Sequence, residues 1–275
     1  MTEIGTGETA YTVPLPGRAP LVLSWAAVTD RGRRRAGNED SYVVQPPVFA
    51  VADGMGGHSA GDLASAAVVE GLSHAVTGAF ATTEDVERGL DEATAEIVAL
   101  AGETELGVGT TVTGAVLTLQ DDDPYFAVFN IGDSRVYAFE RNEFVQVTID
   151  HSVVQELVQS GALSPDEAEH HPDSNIITRA VGFGTRPEPD YWMVPVRTGL
   201  RLLLCSDGLT KDVGDDRIRL HLAAGLSTEA TAGALVDAAL AAGGRDNVTV
   251  VVIEVLEAPS PREIEDTEPR GRRAR

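Results

Sequence analysis

Short apolar runs alternate with turn residues along most of the chain, and this pattern predicts a fold rich in β-strands. Most of the connections between the runs are short, which suits antiparallel pairing. The predicted strands are Leu23–Thr29, Tyr42–Val44, Val48–Ala52, Thr111–Leu119, Tyr125–Ile131, Arg135–Phe139, Phe144–Val147, Leu200–Cys205 and Asn247–Val255.

Three segments have helical periodicity: Gly61–Phe80, Thr83–Ala101 and Thr228–Ala242. The third follows Ser227, a suitable N-cap, and ends at two glycines. The apolar stripe predicted for the first consists of Leu63, Ala66, Ala67, Leu72 and Val76. Many strands, few helices and no regular βαβ alternation predict an α+β fold, in which two antiparallel sheets pack together with helices outside them.

Nothing within residues 21–257 marks a linker, so we expect one domain there. Residues 1–20 contain three prolines and three glycines and predict a flexible N-terminal segment. Residues 258–275 have mixed charge and no periodicity, and they predict a disordered C-terminal tail.

The balance of charge narrows the choice of partners. The formal net charge is −22, which argues against binding to nucleic acid, because phosphate backbones are bound by clustered cations. It also argues against an anionic membrane surface. No apolar stretch approaches the roughly 20 residues that cross a bilayer, and the N-terminus does not resemble a secretory signal. We therefore expect a soluble, cytoplasmic monomer.

The single cysteine, Cys205, excludes a disulfide framework and a four-cysteine zinc site. It lies inside an apolar run, which predicts a core residue rather than a nucleophile. One cysteine also suits a reducing compartment.

Acidic residues recur at the ends of the predicted strands. Asp53, Asp133 and Asp207 each follow an apolar run, Asp246 precedes one, and Glu39-Asp40 precedes another. Strands of one sandwich bring their ends to a common edge, where converging carboxylates repel unless cations lie between them. Oxygen ligands without His or Cys favour Mg²⁺ or Mn²⁺ over zinc. Asp-Gly and Gly-Asp are also ordinary turn dipeptides, and the pattern alone leaves both interpretations open.

Six motifs in order give the chain a resemblance to the PPM, or type 2C, metal-dependent protein phosphatases, especially bacterial and actinobacterial members. The motifs are Arg35-Ala36-Gly37-Asn38-Glu39-Asp40, Asp53-Gly54-Met55-Gly56-Gly57-His58, Gly109-Thr110-Thr111, Asn130-Ile131-Gly132-Asp133-Ser134-Arg135, Ser206-Asp207-Gly208-Leu209 and Asp246-Asn247-Val248-Thr249. The resemblance covers nearly all of residues 21–257. The segment at about 150–182 is similar to the family's flap beside the active site.

The resemblance implies a four-layer α-β-β-α sandwich with a centre for two Mn²⁺ or Mg²⁺ ions at one end. By position, Asp53 would bridge both ions. Glu39 and the carbonyl of Gly54 would hold one ion, and Asp207 and Asp246 the other.

Three further roles follow from the same resemblance. Asp133, together with Asp207, matches a weaker third metal site of bacterial members. Asp40 stands where the family has an acid that orients metal-bound water. Arg35 stands where the family binds the substrate phosphate, and a guanidinium fork suits that role because it can donate two parallel hydrogen bonds.

The implied activity is hydrolysis of phosphoserine and phosphothreonine in phosphoproteins, which would reverse bacterial Ser/Thr kinase signalling. The expected partners are therefore phosphoproteins, among them Ser/Thr kinases and their substrates. Two cations about 4 Å apart lower the pKa of a bridging water. The resulting hydroxide would attack phosphorus in line while the cations and Arg35 stabilise the phosphoryl oxygens.

One position departs from the pattern of many eukaryotic relatives. Where they have a histidine assigned as general acid, this chain has Met55, which has no proton to donate. Two sources of the proton stay open, namely water bound to the metals and His58.

Two clusters of cationic or titratable side chains have alternative interpretations. Arg31, Arg33, Arg34 and Arg35 predict either a positive patch that recruits phosphorylated loops or one functional arginine among solvated ones. The histidines of the predicted flap, which are His151, His170 and His171, are expected at the surface rather than on a metal.

The sequence is also compatible with two other functions. The same fold could be a catalytically silent regulator that binds phosphoprotein, although all five expected metal positions hold competent ligands. It could also be a metallohydrolase for nucleotides or small phosphate esters. A phosphatase assay with and without Mn²⁺ tests the first alternative, and a comparison of peptide with nucleotide substrates tests the second.

Overall fold

The strands form two sheets in the computed structural model, which describes residues 1–56, 60–101, 107–169, 171–183 and 186–260. The strands are β1 (Glu3–Ile4), β2 (Glu8–Val13), β3 (Leu21–Asp30), β4 (Asp40–Gln45), β5 (Val48–Met55), β6 (Gly109–Thr110), β7 (Val112–Gln120), β8 (Asp123–Ile131), β9 (Arg135–Glu140), β10 (Glu143–Gln146), β11 (Asp190–Pro195), β12 (Arg201–Cys205) and β13 (Val248–Glu257). The helices are α1 (Ala60–Ala75), α2 (Thr83–Ala101), α3 (Val153–Gln159), α4 (Pro165–Glu169), α5 (Asp207–Thr210), α6 (Asp215–Ala223) and α7 (Thr228–Ala242).

The strand order shows how distant parts of the chain become neighbours. The first sheet has the order β1-β4-β5-β7-β8-β11, with β6 beside the end of β5. The second has the order β10-β9-β12-β13-β3-β2. Apart from the parallel pair β1–β4, the described strands pair antiparallel. The prediction of two antiparallel sheets is confirmed.

Alternation along the central strands builds the layers, because successive side chains of a strand point to opposite faces. On β5, Phe49 and Val51 pack between the two sheets, whereas Ala50 and Ala52 pack against α1 and α2. On β12, Leu202 and Leu204 enter the same central layer. Leu203 and Cys205 instead pack against α5, α6 and α7. The result is the predicted α-β-β-α sandwich, and Cys205 lies in its core.

The predicted central elements are confirmed, and α2 and α7 have the expected bounds. The first helix differs, because it ends at Ala75 rather than at Phe80. Its predicted stripe was also partly wrong. Leu63 is half exposed, and Ala64 and Val68 are buried in its place, because the helix packs against both the sheet and α2.

Residues 1–20 are not the flexible segment that their prolines and glycines predicted. They contain β1 and β2, which extend one edge of each sheet. β2 is mostly exposed and has no apolar alternation, so its sequence gave no strand signal. Of the predicted disordered tail, residues 261–275 lie outside the described residues.

The segment predicted as a flap contains α3 and α4. A bridge between Thr110 and Val181 joins it to β6, and a bridge between Ser152 and Ile177 connects its own two ends. Within the described ranges, no helix has the length and apolarity that crossing a membrane requires.

Candidate metal centre

Asp40 joins the two sheets at one end of the sandwich. It begins β4, directly opposite Asp53 near the end of β5. Its buried Oδ2 accepts hydrogen bonds from Ser206 Oγ at 2.8 Å and from Thr249 Oγ1 at 2.6 Å. Ser206 directly follows β12 and Thr249 lies in β13, both strands of the second sheet. The end of β5, the end of β12 and the start of β13 therefore meet at one edge, as predicted from the strand-end acids.

Burial of several carboxylates at this edge perturbs their ionisation. Burial raises the pKa of Asp40 to about 7 against the opposing effect of its two hydroxyl donors. The pKa of Asp53 is raised well above its ordinary value, first by burial and then by the charges of Asp40, Asp207 and Asp133. Such mutual repulsion is relieved when cations lie between the carboxylates.

The backbone around Asp53 is fixed by the threonines of the Gly109-Thr110-Thr111 motif. Thr111 N–H and Thr110 Oγ1 both donate to the Asp53 carbonyl, each at 2.9 Å. Thr111 Oγ1 also lies 3.0 Å from the Ser134 hydroxyl. This motif therefore ties Asp53 to the turn that carries Asp133.

Glu39 and the carbonyl of Gly54 meet at Gly61, a residue whose role the sequence did not predict. A Cβ placed on Gly61 would stand 2.6 Å from Glu39 Oε2 and 3.0 Å from Gly54 O. The two predicted ligand oxygens thus face the same small space, which the absence of a side chain at Gly61 keeps open. Burial and the charge of Asp62 raise the pKa of the Glu39 carboxyl.

Asp207 and Asp246 each pair with a cationic side chain. Arg35 Nη2 donates to Asp246 Oδ2 at 2.7 Å. Lys211 Nζ forms an ion pair with Asp207 Oδ2 and lies 3.9 Å from Asp246 Oδ2. The predicted phosphate-binding arginine therefore lies at the centre and is half exposed, while Lys211 was not anticipated.

Asp133 follows the end of β8 and belongs to the same group of charges. Its pKa is raised to about 7, first by burial and then by Asp207, while Lys211 lowers it. Asp133 therefore interacts electrostatically with Asp207, its partner in the predicted third site.

Asn247 holds the loop that carries Glu39, and its role was also missed. Its Oδ1 accepts from the Glu39 backbone N–H at 2.9 Å. Its Nδ2 donates to the carbonyls of Arg31 at 2.8 Å and Gly37 at 2.9 Å. Because Asn247 follows Asp246 directly, one dipeptide contains one predicted ligand and fixes the loop of another.

His151 is buried, so the expectation that it is a surface residue was wrong. Its Nδ1 accepts from the Gly132 N–H at 3.1 Å, and its Nε2 lies 3.2 Å from Asp190 Oδ2. Its backbone bonds to Gly132 O and Thr178 N, each at 2.8 Å. Burial lowers the pKa of His151, in keeping with a neutral ring whose Nδ1 accepts and whose Nε2–H donates. It therefore links the Asp133 turn, the flap and β11.

The other predicted residues are the remaining histidines and the single cysteine. His58 and His170 lie outside the described residues, and His171 is partly exposed. Burial raises the pKa of Cys205 to about 12, which makes this thiol unsuited to nucleophilic attack.

The residues fit a pair of hard divalent cations. Within the described ranges, no three ligands are already closed around one point, and two of the carboxylates are paired with cationic side chains. Asp40 Oδ1 and Asp207 Oδ1 are buried and receive no hydrogen bond from any described residue. Carboxylate and backbone carbonyl oxygens are the donors that Mg²⁺ and Mn²⁺ prefer, and Asp207 Oδ1 has no competing hydrogen bond from the described residues.

Comparisons with known proteins agree with this geometry. The sequence pattern of the protein phosphatase 2C family matches residues 33–242. The serine/threonine phosphatase stp of Listeria welshimeri is 39% identical over 239 residues, which cover 82% of this chain and 93% of that protein. The serine/threonine protein phosphatase PstP of Mycobacterium tuberculosis is 40% identical over 252 residues, which cover 87% of this chain and 46% of PstP.

Solved structures give the same result for the fold. A crystal structure of the M. tuberculosis phosphatase PstP/Ppp superposes with a TM-score of 0.79 at 38% identity, covering 86% of this chain and 99% of that one. The catalytic domain of PstP in complex with two manganese ions superposes with a TM-score of 0.77 over 86% of this chain and all of that one. The shared fold, the ordered motifs and the converging carboxylates lead to one conclusion: this chain belongs to the protein phosphatase 2C family.

Proposed function

We propose that the chain is a Mn²⁺- or Mg²⁺-dependent protein serine/threonine phosphatase that removes phosphate from phosphoserine and phosphothreonine. The observation that carries the proposal is the convergence of Asp53, Asp207 and Asp246 around the buried Asp40 at one edge of the sandwich. The relatives at 36–40% identity over most of the chain are serine/threonine or protein phosphatases.

The proposed ligand set divides between two ions. Glu39 and the carbonyl of Gly54 would hold one, Asp207 and Asp246 would hold the other, and Asp53 would serve both. When bound, the cations ionise water and polarise the phosphoryl oxygens. The protein contributes fixed positions, because Asn247 holds the Glu39 backbone and the two threonines hold that of Asp53.

Arg35 is proposed to bind the phosphate of the substrate. Its side chain is 54% exposed, and its one side-chain acceptor in the described structure is Asp246. A guanidinium has five N–H donors, so several stay free to bind phosphoryl oxygens while Asp246 holds the group at the centre.

Asp40 is proposed to position water at the centre rather than to bind metal. Its Oδ2 is already engaged by Ser206 and Thr249, and its Oδ1 is left to accept another hydrogen bond. A carboxylate whose pKa is about 7 can gain or lose a proton near neutral pH.

The source of the proton for the leaving alkoxide stays a proposal with two alternatives, namely water at the centre and His58. Met55 cannot supply it. His58→Ala distinguishes them: full activity on a phosphopeptide assigns the role to water, and a large fall in kcat with an unchanged KM assigns it to His58.

The proposed physiological role is to oppose Ser/Thr kinases in the cytoplasm, acting on the kinases or on their substrates. We propose that the chain acts as a monomer. Size-exclusion chromatography with light scattering tests this, and a mass of twice 29.0 kDa would contradict it.

The central experiment measures phosphate release from a phosphothreonine peptide and from a nucleotide, with and without Mn²⁺. We expect Mn²⁺-dependent release from the peptide and much slower release from the nucleotide. Asp53→Asn abolishes release, whereas Asp237→Asn, at an exposed position on α7, does not. A chain that binds phosphopeptide without releasing phosphate is a regulator instead, and preference for the nucleotide indicates a different hydrolase.

A further inference from the structure

Lys211 is the only lysine in the chain, and the other side-chain cations are arginines. It follows α5 directly, four residues after Asp207, a spacing that brings the two side chains together on one helical face. Its Nζ forms an ion pair with Asp207 Oδ2 and lies 3.9 Å from Asp246 Oδ2. One ammonium group therefore lies between two proposed metal ligands.

The backbone of Lys211 is held in place rather than free on the surface. Its N–H donates to the Asp207 carbonyl at 2.8 Å, and its own carbonyl accepts from Arg245 Nη2. Arg245 also donates to Asp212 through its backbone N at 3.0 Å and through Nε at 2.6 Å. The residue that precedes Asp246 thus fixes the turn that carries Lys211.

The balance of charge at the centre indicates a role for the ammonium group of Lys211. Two divalent ions carry four positive charges, and the four proposed carboxylate ligands, Glu39, Asp53, Asp207 and Asp246, carry four negative charges. Asp133 is left with its charge unmatched, and Lys211 is close enough to act on it electrostatically. An ammonium is a compact point charge and can neutralise a carboxylate as a cation would.

We propose that the ammonium of Lys211 is the third cation of this centre, neutralising the side formed by Asp133 and Asp207 and keeping a third divalent ion out. The chain would then bind two ions where the resemblance implies a weaker third. This inference rests on the proposed function and on its ligand set, but Lys211 is part of neither.

The binding of Mn²⁺ in the absence of substrate tests the proposed role of Lys211. Titration calorimetry and the electron paramagnetic resonance of free Mn²⁺ measure how many ions bind and how tightly. We expect two ions for the wild type and for Lys211→Arg, which keeps the charge. Lys211→Met should gain a third ion that binds at least about tenfold more tightly than any third ion in the wild type. The matched control, Arg217→Met, removes an exposed cation on α6 and should leave two ions.

Two ions in Lys211→Met, with unchanged affinities, would overturn this inference and leave the proposed function standing. No Mn²⁺ bound by the wild type would overturn both.

Chemical modification gives a readout that needs no variant, because the amines of the chain are Lys211 and the N-terminus. Acetylation of Lys211, followed by mass spectrometry of peptides, should be no faster in Mn²⁺ than in EDTA, since the ammonium stays beside Asp207 and Asp133. A rate that rises about tenfold or more in Mn²⁺ would show that the ions expel Lys211, which contradicts the proposal.

Discussion

Asp40 shows how one buried carboxylate links stability to metal binding. It is fully buried, and its pKa is raised to about 7 by that burial. A carboxyl whose folded-state pKa exceeds its unfolded value contributes stability below the unfolded pKa, and that contribution is lost as pH rises through the folded pKa. The pKa values of Asp53 and Asp133 are raised as well, so their contributions have the same sign.

We therefore predict that the melting temperature of the metal-free protein falls as pH rises from about 4 through about 7. Asp40→Asn should be more stable than the wild type at pH 8 in EDTA and should have a shallower pH dependence. Thermal unfolding followed by circular dichroism at several pH values measures both. A wild type and a variant with the same pH dependence would contradict the assignment of this effect to Asp40.

Gly61 gives a second prediction at the same scale, since its missing side chain leaves space for two proposed ligand oxygens. Gly61→Ala should weaken one of the two ions by about tenfold or more, or about 1.4 kcal/mol, and should lower activity at limiting Mn²⁺. Gly233→Ala is the matched control, because Gly233 lies in α7 with open space around its Cα. It should stabilise the helix by about 1 kcal/mol and leave metal binding unchanged.

At the scale of elements, apolar periodicity predicted the central strands and the helices α2 and α7 because burial on defined faces determines them. Edge elements carry no such signal. β2 is largely exposed, and β11 contains only six residues of an edge strand. α6 begins with two acids and has only two buried residues, Ile218 and Leu222. None of the three has the alternation or the stripe on which the prediction depends.

The loop before β4 holds the arginines whose role the sequence left open. Arg33 and Arg34 are exposed, and the loop is anchored by Asn247 beside Asp246. If the loop recruits acidic or phosphorylated substrates, Arg33→Glu with Arg34→Glu should lower kcat/KM about tenfold or more at low salt, with a smaller effect at high salt. Unchanged kcat/KM at low salt would leave Arg35 as the one functional arginine.

His151 connects the turn that carries Asp133 to the flap. His151→Ala removes one buried and one partly buried hydrogen bond. It leaves the Gly132 N–H without its acceptor, so it should reduce the free energy of unfolding by about 2 kcal/mol. It should also raise KM for a phosphopeptide more than it lowers kcat, since the flap loses its attachment. His74→Ala, at an exposed position in the last turn of α1, is the control. A variant as stable as that control, with the same KM, would contradict this role.

At the scale of the whole molecule, the convergence of the acids could be predicted because each stands at a strand end and the motifs follow in order. The supporting residues could not. Gly61 and Asn247 act through close approach and backbone bonds that arise only when the two sheets meet. Lys211 has an ordinary helical spacing from Asp207, and its significance depends on Asp246, which arrives from another strand.

The central claim is that carboxylates from distant parts of the chain enclose two divalent ions at this edge. Anomalous diffraction from crystals soaked in Mn²⁺ tests it most directly, since the difference map counts the ions and identifies their ligands. We predict two peaks, one beside Glu39 and the carbonyl of Gly54 and the other beside Asp207 and Asp246, with Asp53 in contact with both. A map without peaks among these residues, or with a single ion away from Asp53, would contradict the account.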